Sequence, residues 1–193
     1  MAPHFTPREV AELSGAPKRA VERAIEERVL TPRMAQRGRR ERRVLPAHAV
    51  AYAAIMRRVK YRMDAPMKRR LAAGLSRLDA VAMRTWRFEL EPSVEMDVGR
   101  LLGDTMARAA AYGAARDALI VEDAAILGGA AVIRGTRISV HALLGRLTHG
   151  DTVADILSDY PDLTAEAVDA AAIFARCHPL VGRPGGRPWS TAA

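Results

Sequence analysis

Five arginines lie between positions 36 and 43, around a single glycine. The planar guanidinium group binds phosphate through two parallel hydrogen bonds, so such a run suits a nucleic-acid backbone. Contacts of this kind position a protein on DNA and add salt-dependent affinity without reading bases. Apolar residues flank the run at Met34 and at Val44-Leu45, which predicts a β-hairpin with a charged tip. The arginines are Arg37, Arg39, Arg40, Arg42 and Arg43.

A second basic group lies earlier in the chain, at the predicted start of a helix. Lys and Arg side chains can read guanine, while Glu22 can accept from cytosine or orient Arg19 or Arg23. We therefore expect this group to contact bases in the major groove of double-stranded operator DNA. The residues predicted to face the DNA are Pro17, Lys18, Arg19, Glu22 and Arg23.

Two short helices are predicted to position these side chains. Thr6 followed by Glu9 is a capping box, with Pro7 at the first helical position. Ser14-Gly15 ends this helix, because glycine adopts the left-handed conformation of a tight turn, and Pro17 opens the second. Two short helices around a glycine turn are the helix-turn-helix signature.

A third helix is predicted from Pro46, after the arginine-rich hairpin. The whole order resembles the winged helix-turn-helix of MerR-type regulators over residues 4–62, and the resemblance implies DNA binding. A plain helical hairpin would show the same helical pattern, but a structural turn does not need five arginines.

The charge is divided unevenly along the chain. The net charge is +8, yet residues 1–80 hold 19 Lys+Arg against 8 Asp+Glu, whereas the remainder holds 11 against 14. A basic front with a mildly acidic back suggests a polyanionic partner for the front. The alternative is a solvated, arginine-rich surface.

The middle of the chain contains two runs of strict alternation, at residues 85–90 and 94–98. They predict a β-hairpin, followed by a helix over 99–118. Trp86 and Phe88 are interpreted as core or dimer-contact residues rather than a platform for stacking bases. A single short helix-turn-helix reads little DNA alone, so we expect a homodimer.

A Gly-Thr-Arg turn follows the second of two short apolar runs in the back of the chain. Gly135 allows a positive φ, and Thr136 and Arg137 can hydrogen-bond the turn backbone. Arg137 can instead pair with Asp155 or Asp159. These roles are those of a scaffold.

The same turn has a second interpretation, in which Arg134 and Arg137 bind phosphate at the helix start near Ser139. Residues 121–180 hold only four Lys+Arg against eight Asp+Glu. Such a surface is poorly suited to DNA, so we favour a scaffold or a protein contact.

The back of the chain carries an ordered pattern of glycines, apolar pairs and turn residues. It consists of Gly128-Gly129, Val132-Ile133, Gly135-Thr136-Arg137, Val140, Gly150, Ile156-Leu157, Tyr160-Pro161 and Leu163-Thr164. Over residues 119–180 this pattern resembles the bacterial proteins grouped as domain of unknown function 433. The resemblance implies an antitoxin, in many cases encoded beside a PIN-domain ribonuclease toxin of the VapBC kind, and a compact homeodomain-like unit of a small β element and three helices. Asp151 is predicted to cap the middle helix and Thr164 the last.

The tail is rich in Pro and Gly, which cannot form a helix or a central strand. Trp189 favours an anchor on a partner over a frayed terminus. Because PIN toxins bind Mg²⁺ with carboxylates, Arg183 or Arg187 could enter that cluster, with Trp189 in a nearby pocket. We expect these three residues to bind the toxin.

The sequence gives little support for disulfides, metal sites or enzymatic activity. The single cysteine, Cys177, excludes a disulfide framework and a cysteine-based zinc site. Four aspartates at roughly helical spacing, Asp151, Asp155, Asp159 and Asp162, could suggest a metal cluster. Asp155 and Asp159 are instead interpreted as the solvated face of an amphipathic helix. We expect no enzymatic activity, no cofactor and no metal. The N-terminal residues lack the apolar core of a signal peptide and no long apolar run follows, so we expect a cytoplasmic protein without a membrane partner.

The predicted fold class is mainly α with small β. We expect four segments: the front segment (1–62, a winged helix-turn-helix), the middle segment (63–118, dimerisation), the back segment (119–178, the antitoxin-family domain) and the tail (179–193, toxin-binding). The predicted function is an antitoxin that neutralises a PIN-domain ribonuclease toxin and represses its own promoter. The alternatives are a stand-alone dimeric transcriptional regulator, whose back segment senses a ligand or only dimerises, and a protein or RNA interaction module with a basic front.

Overall fold

The computed structural model describes residues 3–37 and 40–180. It is mainly helical with small antiparallel sheets, which confirms the predicted fold class at that level. The front segment contains β1 (His4–Phe5), α1 (Pro7–Ser14), α2 (Lys18–Glu26), β2 (Arg33–Arg37), β3 (Arg40–Pro46) and α3 (His48–Arg58). The middle segment contains α4 (Ala65–Ser76), α5 (Ala82–Thr85), β4 (Arg87–Glu91), β5 (Val94–Asp97), α6 (Val98–Leu102) and α7 (Thr105–Leu119). The back segment contains β6 (Ile120–Glu122), β7 (Ala131–Ile133), α8 (Val140–Thr148), α9 (Val153–Asp159) and α10 (Ala165–Cys177).

The start and end of α1 follow the sequence signals. The Thr6 hydroxyl accepts from the Glu9 backbone N–H at 3.3 Å, and the Glu9 carboxylate accepts from the Thr6 N–H at 2.6 Å. Gly15 ends the helix in the left-handed conformation, with φ at +68°. These contacts confirm the predicted capping box and turn, which set the direction in which α2 leaves.

Helix α3 forms the centre of the front segment. Residues 49 to 55 are all buried, so this helix is covered on every side. Four of these seven residues are alanine, which allows neighbouring helices to approach closely. Helix α1 of the front and α4, α6 and α7 of the middle pack against it. Front and middle segments therefore share one core.

The middle hairpin forms as predicted, with Phe88 opposite Met96 in an antiparallel ladder. Both side chains are buried. The ring of Trp86 packs edge-on against Phe88, with 5.6 Å between centroids. The helix predicted over 99–118 is instead divided into α6 and α7, because Gly103 leaves the helical conformation with φ +49° and ψ −130°.

The turn after β7 is held by side chain to backbone hydrogen bonds. Gly135 has a positive φ of 77°. The Thr136 hydroxyl donates to the Ile133 carbonyl at 2.9 Å and accepts from the Ile138 N–H at 3.0 Å. Arg134 donates to the Ala118 carbonyl at 2.6 Å. These bonds tie the turn to the end of α7 and set the start of α8.

One predicted helix cap in the back segment was wrong. Helix α9 is capped by Thr152, whose hydroxyl accepts from the Asp155 N–H at 3.2 Å, and not by Asp151. Asp151 instead forms an ion pair with Arg146, which also bonds Asp159 at 2.6 Å. Asp159 therefore pairs with Arg146 rather than with the predicted Arg137. Thr164 caps α10 as predicted.

The back segment packs directly on the rest of the protein. Helix α10 contacts α7 and α1 as well as α8, so it joins the back to both preceding segments. No helix within the described ranges is long and apolar enough to cross a membrane.

Candidate nucleic-acid interface

The first turns of α2 present a polar surface. Arg19 and Arg23 lie one helical turn apart and are both exposed. Lys18 and Glu22 form an ion pair of 2.9 Å along a neighbouring stripe of the same helix. Pro17 is exposed at the N-cap. The five residues predicted to face DNA thus begin a helix whose apolar side is buried in the front segment.

The arginine-rich hairpin forms beside this helix. Strands β2 and β3 pair antiparallel, with Arg37 opposite Arg40 at the last pair. Arg43 is exposed on β3. Arg39 lies outside the described residues. The hairpin body therefore carries cationic residues towards its tip, on an element adjoining the core of the front segment.

Arg42 has a different partner from its neighbours. Its Nη2 atom donates to Oε1 of Glu122 on β6, at 3.1 Å, and each side chain is only about one fifth exposed, at 21% and 20%. The hairpin is thus bound to the back segment through one of the five arginines predicted to contact phosphate. The pairing joins residues 80 positions apart, and no local signal in the sequence could have found it.

A cleft of about 800 Å³ lies between one face of the front segment and one face of the back segment. One wall is formed by the starts of α1 and α2 and by β3, including Lys18, Glu22 and Arg43. The opposite wall is formed by the turn at residues 128–131, by His141 and by the end of α10. Part of the predicted DNA-reading surface therefore faces the back segment across open space.

A buried ion pair lies behind this cleft. Arg116 on α7 donates to Oε1 of Glu9 at 2.8 Å, and the Tyr112 hydroxyl donates to the same oxygen at 2.7 Å. The side chains of Arg116 and Glu9 are 3% and 2% exposed. Arg116 also bonds Asp117 at 2.9 Å and lies over the ring of Phe5. Glu9 therefore caps α1 and also fastens it to α7.

The electrostatics of this pair follow from its burial. Burial alone would raise the pKa of Glu9, but the charge of Arg116 and the Thr6 N–H hydrogen bond outweigh it, and the pKa is lowered. The pKa of Tyr112 is raised, first by burial and then by the neighbouring Glu9 charge. The pair is consequently ionised at neutral pH, while the phenol stays protonated and donates.

Cys177 and His178 line the cleft at the C-terminal end of α10. The Cys177 thiol is buried, and burial raises its pKa to about 12, so it is not a reactive nucleophile. Burial lowers the pKa of His178, whose ring stacks on Phe174 with 4.1 Å between centroids. Among the described residues, no group of three or more His, Cys, Asp or Glu side chains could hold a metal ion.

Two of the turn residues of the back segment hydrogen-bond to main-chain carbonyl groups. Arg134 and Thr136 make the main-chain hydrogen bonds described above, as the scaffold interpretation requires. Arg137 is exposed. Gly128 and Gly129 both have positive φ values, in the turn that borders the cleft. The predicted toxin-binding residues Arg183, Arg187 and Trp189 lie outside the described residues.

Residues 120–175 match the family described as "Protein of unknown function (DUF433)". The match begins at β6 and ends within α10, and it supports the family inferred from the residue pattern of the back segment.

One relative is "Uncharacterized protein y4eO" of Sinorhizobium fredii (strain NBRC 101917 / NGR234), which is 39% identical over 70 residues. That alignment covers 36% of this chain and 31% of the relative, so the chain matches about a third of that protein's length. Among solved structures, the X-ray crystal structure of Rv2018 from Mycobacterium tuberculosis aligns with 89% of this chain and 97% of its own, at 18% identity and a TM-score of 0.37.

Proposed function

We propose that this protein, whose back segment carries a DUF433 domain, is a DNA-binding antitoxin. Its front segment is a winged helix-turn-helix that binds operator DNA and represses the protein's own promoter. Its tail binds and neutralises a PIN-domain ribonuclease. Different observations support the two activities.

The observation that carries DNA binding is the exposed pair Arg19 and Arg23 at the start of α2, beside an arginine-bearing hairpin. Guanidinium groups one helical turn apart can contact neighbouring bases when the start of a helix enters the major groove. The hairpin arginines supply phosphate contacts that fix the position of the helix.

The toxin-binding half of the proposal is supported by the family match to residues 120–175 and by the composition of the tail. Trp189 would supply a large apolar anchor on the toxin. Arg183 and Arg187 would pair with the carboxylates through which a PIN domain holds Mg²⁺.

We propose that the middle segment forms a homodimer. Val81 and Val94 are exposed at 74% and 47%, near and on the β4–β5 hairpin. Pairing of two copies would bring two recognition helices to adjacent half-sites. Sedimentation at micromolar concentration should give a dimer, and a stable monomer would refute this assembly.

The DNA-binding proposal is tested by fluorescence anisotropy on a duplex from the protein's own promoter. The Arg19→Ala/Arg23→Ala variant should bind at least about thirtyfold more weakly, since each base contact contributes about 1–3 kcal/mol. Arg69→Ala/Arg77→Ala on and next to α4 removes the same charge from exposed positions and serves as the control. Equal affinity of the wild type for promoter and random duplexes would instead favour a polyanion-binding module.

The toxin-binding proposal is tested by co-purification with the product of the adjacent gene. Deleting residues 179–193 should abolish inhibition of the ribonuclease and leave promoter binding intact. A truncated protein that still neutralises the toxin would exclude the tail. A full-length protein that binds the promoter but captures no partner would be a stand-alone regulator.

A further inference from the structure

The cleft between the front and back segments has the size of a small-molecule site. Its volume of about 800 Å³ lies within the range of roughly 300–1,000 Å³ that is usual for such sites. Side chains from α1, α2, β3, α8 and α10 line it. A ligand there would contact both segments at once.

The cleft carries an excess of positive charge. Its two carboxylates are already in ion pairs, one with Lys18 and the other with Arg42. Two further cations line it, Arg8 from α1 and Arg43 from β3, and neither forms an ion pair with any carboxylate in the described part of the chain. Both also help to lower the pKa of Glu22, after the larger effect of its hydrogen bond from Lys18. The four cations and two carboxylates of the cleft thus leave two positive charges that a bound anion would neutralise.

The back wall is less polar. Nε2 of His141 donates to the carbonyl oxygen of His178 at 2.7 Å, and Nδ1 of the same ring is closed to solvent. The stacked rings of Phe174 and His178 add an apolar surface beside it.

We propose that this cleft binds a small molecule that carries at least two negative charges. Arg8 and Arg43 hold its phosphate or carboxylate groups. Arg43 is also proposed to contact DNA, so a ligand in the cleft would compete with the operator for this side chain.

The proposal is tested by isothermal titration of the full-length protein with citrate and with pyrophosphate, at constant ionic strength. Citrate carries carboxylates and a hydroxyl, whereas pyrophosphate carries only phosphates, so the two probes separate the sources of the anion. The Arg8→Gln/Arg43→Gln variant should bind whichever probe the wild type binds at least about tenfold more weakly, a loss of about 1.4 kcal/mol. The control Arg69→Gln/Arg77→Gln removes equal charge elsewhere and should stay within about twofold of wild type.

Thermal melts of every variant separate a lost site from a lost fold. The proposal is overturned if neither anion binds the wild type in a saturable manner, or if Arg8→Gln/Arg43→Gln binds both anions as the wild type does.

Discussion

Arg42 of the arginine-rich hairpin donates to Glu122 on β6 across 3.1 Å, so a carboxylate of the back segment pairs with a side chain predicted to bind phosphate. An Arg–carboxylate contact and an Arg–phosphate contact use the same guanidinium donors. A phosphate that approaches Arg42 must therefore displace Glu122. Glu122 would thus compete with the proposed polyanion for Arg42.

Replacing Glu122 tests this competition. Glu122→Gln should tighten promoter binding by about threefold to tenfold and steepen its salt dependence by about one phosphate contact, since Arg42 becomes available. Anisotropy titrations between 50 and about 200 mM salt measure both quantities. Glu95→Gln, an exposed carboxylate on β5, removes the same charge and is the control. Equal gains in the two variants would mean that net charge, not release of Arg42, is responsible.

Removal of one partner of the Glu9–Arg116 pair should be strongly destabilising, because it leaves the other charge buried and unpaired. Glu9→Gln retains a residue that can complete the capping box but leaves Arg116 without this charged partner. We expect a loss of roughly 3 kcal/mol in the free energy of unfolding, measured by urea denaturation. Thr6→Ala removes the cap and keeps the ion pair, and should cost only about 1 kcal/mol. Equal losses would show that the buried ion pair contributes no more to stability than the cap does.

The same pair predicts the acid stability of the fold. The folded pKa of Glu9 lies below its ordinary value of 4.5, so its contribution is complete above that pH and is lost as the pH falls towards the folded pKa. The difference in unfolding free energy between wild type and Glu9→Gln should therefore be constant near neutrality and shrink below about pH 4.5. Urea titrations at several pH values measure it. A difference that persists undiminished at the lowest pH would contradict the assignment.

Local signals in the sequence predicted the local structure of this protein. The capping box of Thr6 and Glu9, the left-handed Gly15 and the turn at Gly135 all depend on residues within four positions of one another. The alternation of residues 85–98 likewise predicted the middle hairpin, whose strands are adjacent in the chain. Such features are set by backbone geometry and neighbouring side chains, which the sequence displays directly.

The contacts that define the candidate sites were not predictable in this way. Arg116 finds Glu9 across 107 positions, and Arg176 pairs with Glu12 across 164. A charged residue on an alanine-rich helix is equally consistent with a solvated face, so no pattern identifies its partner. The cap at Thr152 was missed for a different reason. Two adjacent polar residues could each begin α9, and Asp151 is instead held by Arg146 from the preceding helix.

Replacement by alanine should have opposite effects on stability at Gly15 and at Gly145. Gly15 adopts a positive φ, and a Cβ there would lie 2.7 Å from Nη1 of Arg57, so Gly15→Ala should destabilise the fold by about 1–2 kcal/mol. Gly145 lies inside α8 with open space around an added Cβ, so Gly145→Ala should stabilise by about 0.5–1 kcal/mol. Urea denaturation of both variants measures these shifts. Gly15→Asn should recover part of the loss, because asparagine tolerates the left-handed conformation better than alanine. If Asn and Ala at this position were equally damaging, contact with Arg57 rather than backbone conformation would be the cause.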